Sequence, residues 1–434
     1  MTNEWSTFTI GEISEAIFDG PHATPTKTDS GPIFLGISNL QGGRIILEDV
    51  DHLAEEDFQK WTRRVTPQKG DIVFSYETRL GEAALVPDNL RFCLGRRMAL
   101  IRPNKSKIDP RFLLYAYLGP EFQETIKART IMGSTVDRIP LVQFPQFPIT
   151  IPPLSEQRAI ARILGALDDK IELNRKMNAT LEAMAQALFK SWFVDFDPVS
   201  VKSEGRQPYG MNAETAALFP AEFVESGNEI FPLIPVGWEL SSLDEIAHYE
   251  NGLALQKHRP TGEDFLPVIK IRELRQGFAD ESSEKASPYI KSSCILYDGD
   301  MVFSWSGSLM IDLWCGGKGA LNQHLFKVTS AKYSKWFYYF WTLFHLLDFQ
   351  NIAEGKATTM GHIQRHHLGG AVVLVPNDEL LLKADTYIQP MIDLIIKNRL
   401  QNRSLATIRD TLLPKLLSGE IRVRDAEKRV EQAV

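Results

Sequence analysis

Three histidines form the densest group of potential metal ligands or proton-transfer groups in the sequence. His362 and His366 are four residues apart and would share one face of a helix, and His367 follows directly. Hydrogen-bond donors, a cation and a glycine that allows close approach surround them, from Lys356 to Arg365. The segment therefore predicts a polar loop or short helix that contacts DNA, with ordinary surface as the alternative and a metal site disfavoured.

Sequence motifs for nucleotide hydrolysis and base methylation are missing. The sequence contains no G-x-x-x-x-G-K-[ST] phosphate loop and no H-E-x-x-H metal motif. Pro152-Pro153 lacks the Asp or Asn before it and the aromatic residue after it that an amino-methyltransferase needs to hold a flipped base. We therefore expect no catalytic residue, no metal ligand and no cofactor in this chain.

Composition and charge describe an ordinary globular chain with several domains. The length of 434 residues suits two or three domains, and a hydrophobic content of 44%, with 24% charged residues, is enough to bury two cores. The three cysteines, Cys93, Cys294 and Cys315, form no C-x-x-C pair, so we expect reduced thiols. Without a long apolar run or a signal sequence, we expect a cytoplasmic protein with no membrane partner.

Polar residues of the types that contact base edges gather in a few turn-rich places. Arg, Lys, Asn, Gln, Ser and Thr read bases in the grooves, although the net charge of −7 is unusual for a nucleic-acid binder. The run from 91 to 111 is basic, with seven Arg or Lys residues and little acid between them, and such a local patch would suit DNA. For each single residue, an ordinary surface or structural role is the alternative. The candidates are His22, Thr24, Lys27, Tyr76, Thr78, Arg79, Arg96, Arg97, Ser134 and Thr135, and further along Lys257, His258, Arg259, Ser306, Ser308, Asn322, Gln323, His324, Lys356, Thr358, Thr359, His362 and Arg365.

An internal repeat relates these places to one another. Pro152 and Pro376 both precede a long helical pattern, and Asn174-Arg175 returns as Asn398-Arg399 at the same offset of 224 positions. The run 70–75 resembles 299–304, but at an offset of 229, so the loops differ in length. The repeat alignment places Arg96 and Arg97 opposite Gln323 and His324. Potential base readers thus differ where their surroundings match.

Two long helices with heptad seams are predicted after the two halves of the repeat. Apolar residues alternate by four and three along both helices, from Ile160 to Leu188 and from Ala384 to Leu412. Each seam has two central asparagines, Asn174 and Asn178 in the first helix and Asn398 and Asn402 in the second. We expect the helices to pair antiparallel, with these asparagines fixing the register. Packing of each helix on its own head is the alternative, and Pro390 is expected to bend the second helix.

The globular parts are expected to be α+β. Strands are predicted at Ile33–Ile37, Ile72–Ser75 and Met98–Ile101, and a helix at Pro110–Leu118. The aromatic run 336–341 matches this helix in the repeat, and we expect it to be core. The segment 197–235, rich in Gly, Pro and Ser, is predicted to be an extended linker.

Several motifs resemble one family over nearly the whole chain. The run 152–160, with Leu167-Asp168, Asn174-Arg175 and the run 189–198, looks like the central conserved region of a type I restriction-modification specificity subunit. The run 411–421 resembles its distal conserved region, and Trp5 and Trp238 resemble the starts of its two target-recognition domains. We therefore predict a first head at 1–151, a central helix at 152–196, a linker at 197–235, a second head at 236–375, and a distal helix with a tail at 376–434.

This resemblance implies a function and partners. Each head would read one half of a bipartite site in double-stranded DNA, and the helices would set the spacer and dock two modification subunits. S-adenosylmethionine would bind to the modification subunit, and ATP and Mg to the restriction subunit, of which up to two would join. A coiled-coil adaptor that joins proteins without touching DNA remains the main alternative, and an enzyme with unrecognised chemistry is a further one.

Overall fold

The structure, a computed structural model, describes residues 5–133, 136–355 and 361–431. It divides into two compact units. Unit 1 comprises Met1–Ile171 and Ser404–Val434, and unit 2 comprises Glu172–Arg403. The division falls within both long helices, so each unit contains one head together with parts of both helices. Helices and sheets are mixed in each unit, which confirms the predicted α+β class.

The strands are short and are numbered here in chain order. The first eleven are β1 (Ser6–Thr9), β2 (Ser14–Asp19), β3 (Thr28–Leu35), β4 (Leu40–Gln41), β5 (Arg44–Ile45), β6 (Asp51–His52), β7 (Ile72–Ser75), β8 (Ala83–Leu85), β9 (Phe92–Leu94), β10 (Met98–Pro103) and β11 (Pro148–Ile151). The others are β12 (Phe223–Glu225), β13 (Leu233–Pro235), β14 (Glu239–Ser242), β15 (His248–Asn251), β16 (Leu266–Ile269), β17 (Lys285–Ala286), β18 (Ile295–Leu296), β19 (Met301–Ser304), β20 (Met310–Leu313), β21 (Gly319–Leu321), β22 (Leu325–Thr329) and β23 (Val372–Val375).

Two of the α-helices are much longer than the rest. The helices are α1 (Ile10–Ile13), α2 (Phe58–Trp61), α3 (Pro110–Leu118), α4 (Pro120–Arg129), α5 (Leu154–Phe189), α6 (Asp197–Ser203), α7 (Ala213–Ala217), α8 (Leu243–Ile246), α9 (Ile271–Gln276), α10 (Lys335–Phe344), α11 (Leu346–Glu354), α12 (Arg365–Gly370), α13 (Asp378–Leu417) and α14 (Val423–Glu431). The long helices are α5, with 36 residues, and α13, with 40.

Unit 1 is built on a four-stranded antiparallel sheet of order β2-β10-β7-β8. All four residues of β7 are buried, as expected for a continuous apolar run at the centre of a sheet. A second sheet, of order β6-β3-β9, is formed by strands that come between those of the main sheet in the chain. Helix α3 begins at Pro110, where Asp109 accepts hydrogen bonds from two backbone N–H groups, a usual helix start.

Predicted elements of the first head match the structure closely. The helix Pro110–Leu118 and the strand Ile72–Ser75 have the predicted bounds. The strand predicted at Ile33–Ile37 is β3, which ends at Leu35, because the chain turns through Gly36 into a 3-10 turn at Ile37–Asn39. In that turn the side chain of Asn39 accepts a hydrogen bond from the Gly36 N–H at 3.0 Å.

Unit 2 repeats the architecture of the first head. Its main sheet has the order β15-β22-β19-β20, which is the order of β2-β10-β7-β8 under the sequence repeat. The aromatic run predicted to be core forms most of α10, and Trp336, Phe337 and Trp341 are almost fully buried. The prediction of core packing is therefore confirmed. These rings supply much of the apolar burial that stabilises the unit.

The long helices pair antiparallel through the predicted seams. In unit 2, the Nδ2 of Asn174 donates to the Oδ1 of Asn402 at 2.9 Å, and the Nδ2 of Asn398 donates to the Oδ1 of Asn178 at 2.8 Å. Numbers rise along one helix as they fall along the other, so the pair is antiparallel. Each asparagine binds the repeat equivalent of its neighbour, which is the exchange expected from two copies of one unit. Helix α13 continues through Pro390 without interruption.

The part of the long helices in unit 1 is held by a polar network. Arg409 on α13 donates to the Oδ1 of Asp168 on α5 at 2.7 Å. The hydroxyl of Tyr115, on α3, donates to the other oxygen of Asp168 at 2.5 Å. Apolar seam residues such as Leu164 and Leu405 are fully buried around this network. The predicted mutual pairing and the packing on the heads therefore coexist.

The prediction of an extended linker at 197–235 is wrong. The segment contains α6, α7 and the hairpin of β12 and β13. Val199, Phe219 and Phe231 are buried in the core of unit 2. The apolar residues are too widely spaced to show a period in the sequence, yet they anchor short elements to a shared core.

None of the helices in the described part of the chain combines the length and the apolar character that a membrane span requires.

Candidate nucleic-acid interface

Three candidate segments of unit 1 meet at one end of its main sheet. The register pairs Asp19, the last residue of β2, with Ala99, and Ser75, the last residue of β7, with Met98. The chain that follows β2, the chain that follows β7 and the chain that precedes β10 therefore leave the sheet at the same end. These segments carry candidates 22–27, 76–79 and 96–97.

Backbone hydrogen bonds fix the segment after β7 to the turn before β10 and to residues 137–139. The N–H of Tyr76 donates to the carbonyl of Arg97 at 3.1 Å, and the N–H of Ile139 donates to the carbonyl of Tyr76 at 2.8 Å. The N–H of Thr78 donates to the carbonyl of Asp137 at 3.4 Å. We call this set of bonds the sheet-end frame. It fixes the backbones of Tyr76, Thr78 and Arg97, which lie in the turns next to β7 and β10.

Side chains within the frame of unit 1 form an ordered polar cluster. The Nη1 of Arg97 donates to the Oγ1 of Thr78 at 3.1 Å, and its Nε lies 3.3 Å from a carboxylate oxygen of Glu77. Beside them, the Nε2 of His22 is 2.8 Å from the Oδ2 of Asp19. Burial raises the pKa of Tyr76, so its hydroxyl stays protonated and can donate a hydrogen bond.

The remaining described candidates of the first head are more dispersed. Arg96 and Thr24 are exposed. Lys27 forms an ion pair with Asp51 at 2.9 Å, and the Nη1 of Arg79 donates to the carbonyls of Ile37 and Ser38, both at 3.3 Å. Arg79 is thus engaged with the neighbouring turn, which is a structural role.

Unit 2 contains the same sheet-end frame. The N–H of Trp305 donates to the carbonyl of His324 at 3.3 Å, and the N–H of Ile363 donates to the carbonyl of Trp305 at 3.0 Å. The N–H of Gly307 donates to the carbonyl of Gly361 at 2.8 Å. Each bond has its counterpart in unit 1, at the positions that the sequence repeat predicts.

The side chains on this second frame differ from those on the first. The Oγ of Ser306 is 2.8 Å from the Nδ1 of His324, and the Nε2 of Gln323 is 3.3 Å from the Nε2 of the same ring. The Oδ1 of Asn322 accepts the N–H of His324 at 3.2 Å. Where unit 1 has Tyr76, Thr78 and Arg97, unit 2 therefore has Trp305, Gly307 and His324.

The other described candidates of the second head lie around this frame or apart from it. His362 forms an isolated β-bridge with Ser306, and its ring is 6.2 Å from the ring of Trp305. Arg365 donates to the carbonyl of Tyr249 at 3.1 Å. Ser308 is exposed. Lys257 ends the 3-10 turn Leu255–Lys257 after β15, and His258 and Arg259 follow that turn.

Five candidates lie outside the described residues. They are Ser134, Thr135, Lys356, Thr358 and Thr359. Among the described residues, no group of three or more His, Cys, Asp or Glu side chains could hold a metal ion. The rings of His366 and His367 are 4.0 Å apart, and the Nδ1 of His367 accepts the N–H of Gln364 at 2.8 Å.

The basic run from 91 to 111 does not form one positive face. Arg91 pairs with Glu55, Arg102 with Asp71 at 2.8 Å and Arg111 with Asp169 at 2.5 Å. The hydrogen bond to Asp71 raises the pKa of Arg102. Sequence proximity suggested a shared patch, but the strand and helix in this run direct the side chains to different acids.

Sequence reasoning missed several residues of the two clusters. Glu77 and Asp19 are acids, and a search for donors to base edges passes over them. Trp305 was also missed, although the match of 70–75 to 299–304 extends by one residue to pair it with Tyr76. The repeat alignment was therefore the signal that could have found it.

A family model matches most of the chain. The model for the type I restriction modification DNA specificity domain matches residues 2–183 and 235–378. The chain belongs to this family. Both matches begin near the start of a head, so the type I DNA specificity domain occurs twice, as the internal repeat predicts. The resemblance inferred from the motifs is confirmed, and with it a role in DNA sequence specificity.

Curated relatives and a solved structure agree with this type I specificity family. The MjaIX specificity subunit of Methanocaldococcus jannaschii is 26% identical over 381 residues, covering 86% of this chain and 82% of the relative. The HindI specificity subunit of Haemophilus influenzae is 26% identical over 480 aligned positions, covering 96% and 100%. The crystal structure of a type I restriction-modification S subunit from M. genitalium has the same fold, with a TM-score of 0.53, 15% identity and 96% of each chain covered.

Proposed function

We propose that each sheet-end frame contacts one half of a bipartite site in double-stranded DNA, and that the chain itself performs no chemistry. The observation that carries this proposal is the pair of frames with matching backbone bonds and different side chains. A duplicated enzyme would keep its chemical groups in both copies. A duplicated reader of two different half-sites would keep the frame and change the side chains.

The side chains on the two frames suit different bases. Arg97 offers the two parallel N–H groups that match the O6 and N7 of guanine. Gln323 offers both a donor and an acceptor, which match the N6 and N7 of adenine. His324, beside Ser306, can donate or accept. We therefore propose that the half-site contacted by unit 1 contains a guanine bound by Arg97, and that recognition of the half-site of unit 2 depends on Gln323.

Phosphate contacts would come from exposed cations near the frames. Arg96 and Lys257 are exposed, and the basic residues of neighbouring strands are paired with acids. With a net charge of −7, this chain would bind DNA weakly by itself. The proposal therefore includes protein partners that supply more positive charge around the DNA.

The partners that we propose are two modification subunits and up to two restriction subunits. The relatives are named as specificity subunits of type I restriction enzymes, which supports such an assembly. Large apolar side chains on the long helices are exposed, including Leu173, Met184 and Leu382 at 56%, 52% and 66%. We propose that these residues of the long helices contact the modification subunits.

Cofactors in this proposal belong to the partners. The modification subunit would bind S-adenosylmethionine and methylate adenine, and the restriction subunit would bind ATP and Mg. The paired helices would set the number of base pairs between the two half-sites, on the principle that protein geometry fixes half-site spacing. The assembly would act in the cytoplasm, where the DNA is.

Genome-wide adenine-methylation sequencing tests the proposal. A host would carry this chain with its neighbouring modification subunit, and a matched host would lack only this chain. We expect one bipartite motif to be methylated, and exchange of residues 236–375 for those of a relative should change one half of it alone. Unchanged methylation, with the modification subunit active beside a control specificity subunit, would contradict the proposal and favour the adaptor.

A further inference from the structure

Two residues of the sheet-end frame in unit 1 have an unusual backbone conformation. Among the described residues, only five other than glycine have a positive φ, and Thr78 and Arg97, both at +68°, are two of them. A positive φ is rare for any residue with a side chain and is a clear outlier for a β-branched one. Such conformations persist where the surroundings impose them, and they cluster at functional sites.

The equivalent position in unit 2 shows what the fold itself requires. Gly307 has a φ of +70° and makes the same backbone hydrogen bond as Thr78. Glycine adopts this conformation without strain. Because a glycine satisfies the frame in unit 2, the backbone of unit 1 gains nothing from a threonine. The threonine side chain must therefore contribute something that offsets its strain.

That contribution is a hydrogen bond to the guanidinium of Arg97. The Oγ1 of Thr78 accepts from Nη1 at 3.1 Å, while Glu77 lies 3.3 Å from Nε on the other side of the group. Within the described part of the chain, the structure gives Nη2 no acceptor. Thr78 and Glu77 thus fix the plane of the guanidinium, and its Nη2 group remains available to bind a base. A fixed guanidinium loses less conformational entropy when it binds a base.

We propose that Thr78 is a positioning residue that holds Arg97, together with Glu77, to recognise one guanine through its N7 and O6 atoms. This inference rests on the function proposed above and names the specificity-determining contact of unit 1. The strain at Thr78 is the cost of orienting Arg97, and Gly307 shows that unit 2, with His324 in place of the arginine, has no such requirement.

The test combines three substitutions with a modified base. Thr78→Gly removes both the strain and the hydroxyl, Thr78→Val removes only the hydroxyl, and Thr78→Ser keeps the hydroxyl. The full chain with its modification subunit is tested for binding to duplexes that carry the motif identified by methylation sequencing. Each guanine of the motif is replaced in turn by 7-deazaguanine, which lacks the N7 acceptor. Binding affinity and thermal unfolding of the isolated chain are measured for every variant.

In the unsubstituted protein, one 7-deazaguanine in one half-site should weaken binding by about 5- to 150-fold, the range for a bidentate base contact. Thr78→Gly and Thr78→Val should reduce that penalty severalfold, and Thr78→Ser should retain most of it. Thr78→Gly should not lower the midpoint of thermal unfolding, because the relief of strain compensates for the lost hydrogen bond. A purely structural threonine would change stability without changing the penalty for the modified base.

Two contrary results have different meanings. If the unsubstituted complex binds the bipartite motif but no 7-deazaguanine weakens it, or Thr78→Gly retains the full penalty, the role of Thr78 is refuted, while the proposal that the two heads read a bipartite site stands. If the complex binds no duplex selectively, both proposals fail. Penalties at bases of the other half-site provide the internal control, since they should be the same in all three variants.

Discussion

The hydrogen bond between two asparagines of the long helices gives a prediction about stability. Substituting both asparagines should destabilise the protein less than substituting either one. Asn398 is 4% exposed, and its Nδ2 donates to the Oδ1 of Asn178 at 2.8 Å. Asn178→Leu would leave this buried N–H group without its acceptor. Asn398→Leu would leave the oxygen of Asn178 without its donor.

The magnitudes follow from the cost of unsatisfied polar groups. An unsatisfied buried group costs about 1–3 kcal/mol. Asn398 is almost fully buried and Asn178 is half-buried, so we expect the free energy of unfolding to fall by about 2 kcal/mol for Asn178→Leu and by about 1 kcal/mol for Asn398→Leu. The double substitution removes both polar groups and makes the seam apolar at that level. It should be neutral or stabilising by about 1 kcal/mol.

Urea unfolding followed by tryptophan fluorescence would measure these free energies. Trp192, Trp336 and Trp341 lie in the buried core of unit 2, so their emission reports on that unit. Ile395→Leu is the control, because a volume-conserving change at an apolar seam position should cost less than about 1.5 kcal/mol. Additive single effects, with the double variant destabilised by about 3 kcal/mol, would refute the argument.

Two further predictions concern a buried histidine and a close backbone contact in unit 2. Burial lowers the pKa of His345, whose Nε2 is 2.8 Å from the carbonyl of Val372, so the unfolded chain binds a proton more readily. Its contribution to stability is therefore complete above its unfolded pKa of about 6.5 and is lost as the pH falls. His345→Gln should make the free energy of unfolding less dependent on pH between about 7.5 and 5.5. A Cβ at Gly252 would lie 2.2 Å from the carbonyl oxygen of Asn322. Gly252→Ala should therefore lower the midpoint of thermal unfolding by several degrees and weaken DNA binding. Gly262→Ala is the control and should change neither, because the space around Gly262 is open. Equal effects of the two substitutions would contradict the steric argument.

Periodic and repeated features were predictable because they depend on local rules. The heptad seams follow from the spacing of apolar residues. Seam residues such as Ile160, Leu167, Ile388 and Leu412 are buried, as that spacing predicts. The core role of the aromatic run in α10 followed from its match to the helix Pro110–Leu118 in the repeat. The equivalence of Arg97 and His324 followed from the repeat alignment, and the matching backbone bonds agree with it.

Features that depend on distant partners were not predictable. The basic run from 91 to 111 looked like a patch, but Asp71 and Asp169 neutralise two of its members from other elements. The segment 197–235 looked like a linker because its anchoring residues, such as Phe219, contribute to a core built mostly by other parts of the chain. The sequence carries no local mark of either arrangement.

The sequence by itself determined the duplicated plan, the long helices with their asparagines and the family to which the chain belongs. Those features depend on the spacing and repetition of residues along the chain. Only the tertiary structure decided which candidate side chains share a frame, and it showed that Thr78 and Gly307 have the same backbone conformation with different consequences. The reason is physical: spacing fixes which face of an element a residue occupies, whereas its partners and its strain are set by segments that folding brings from elsewhere in the chain.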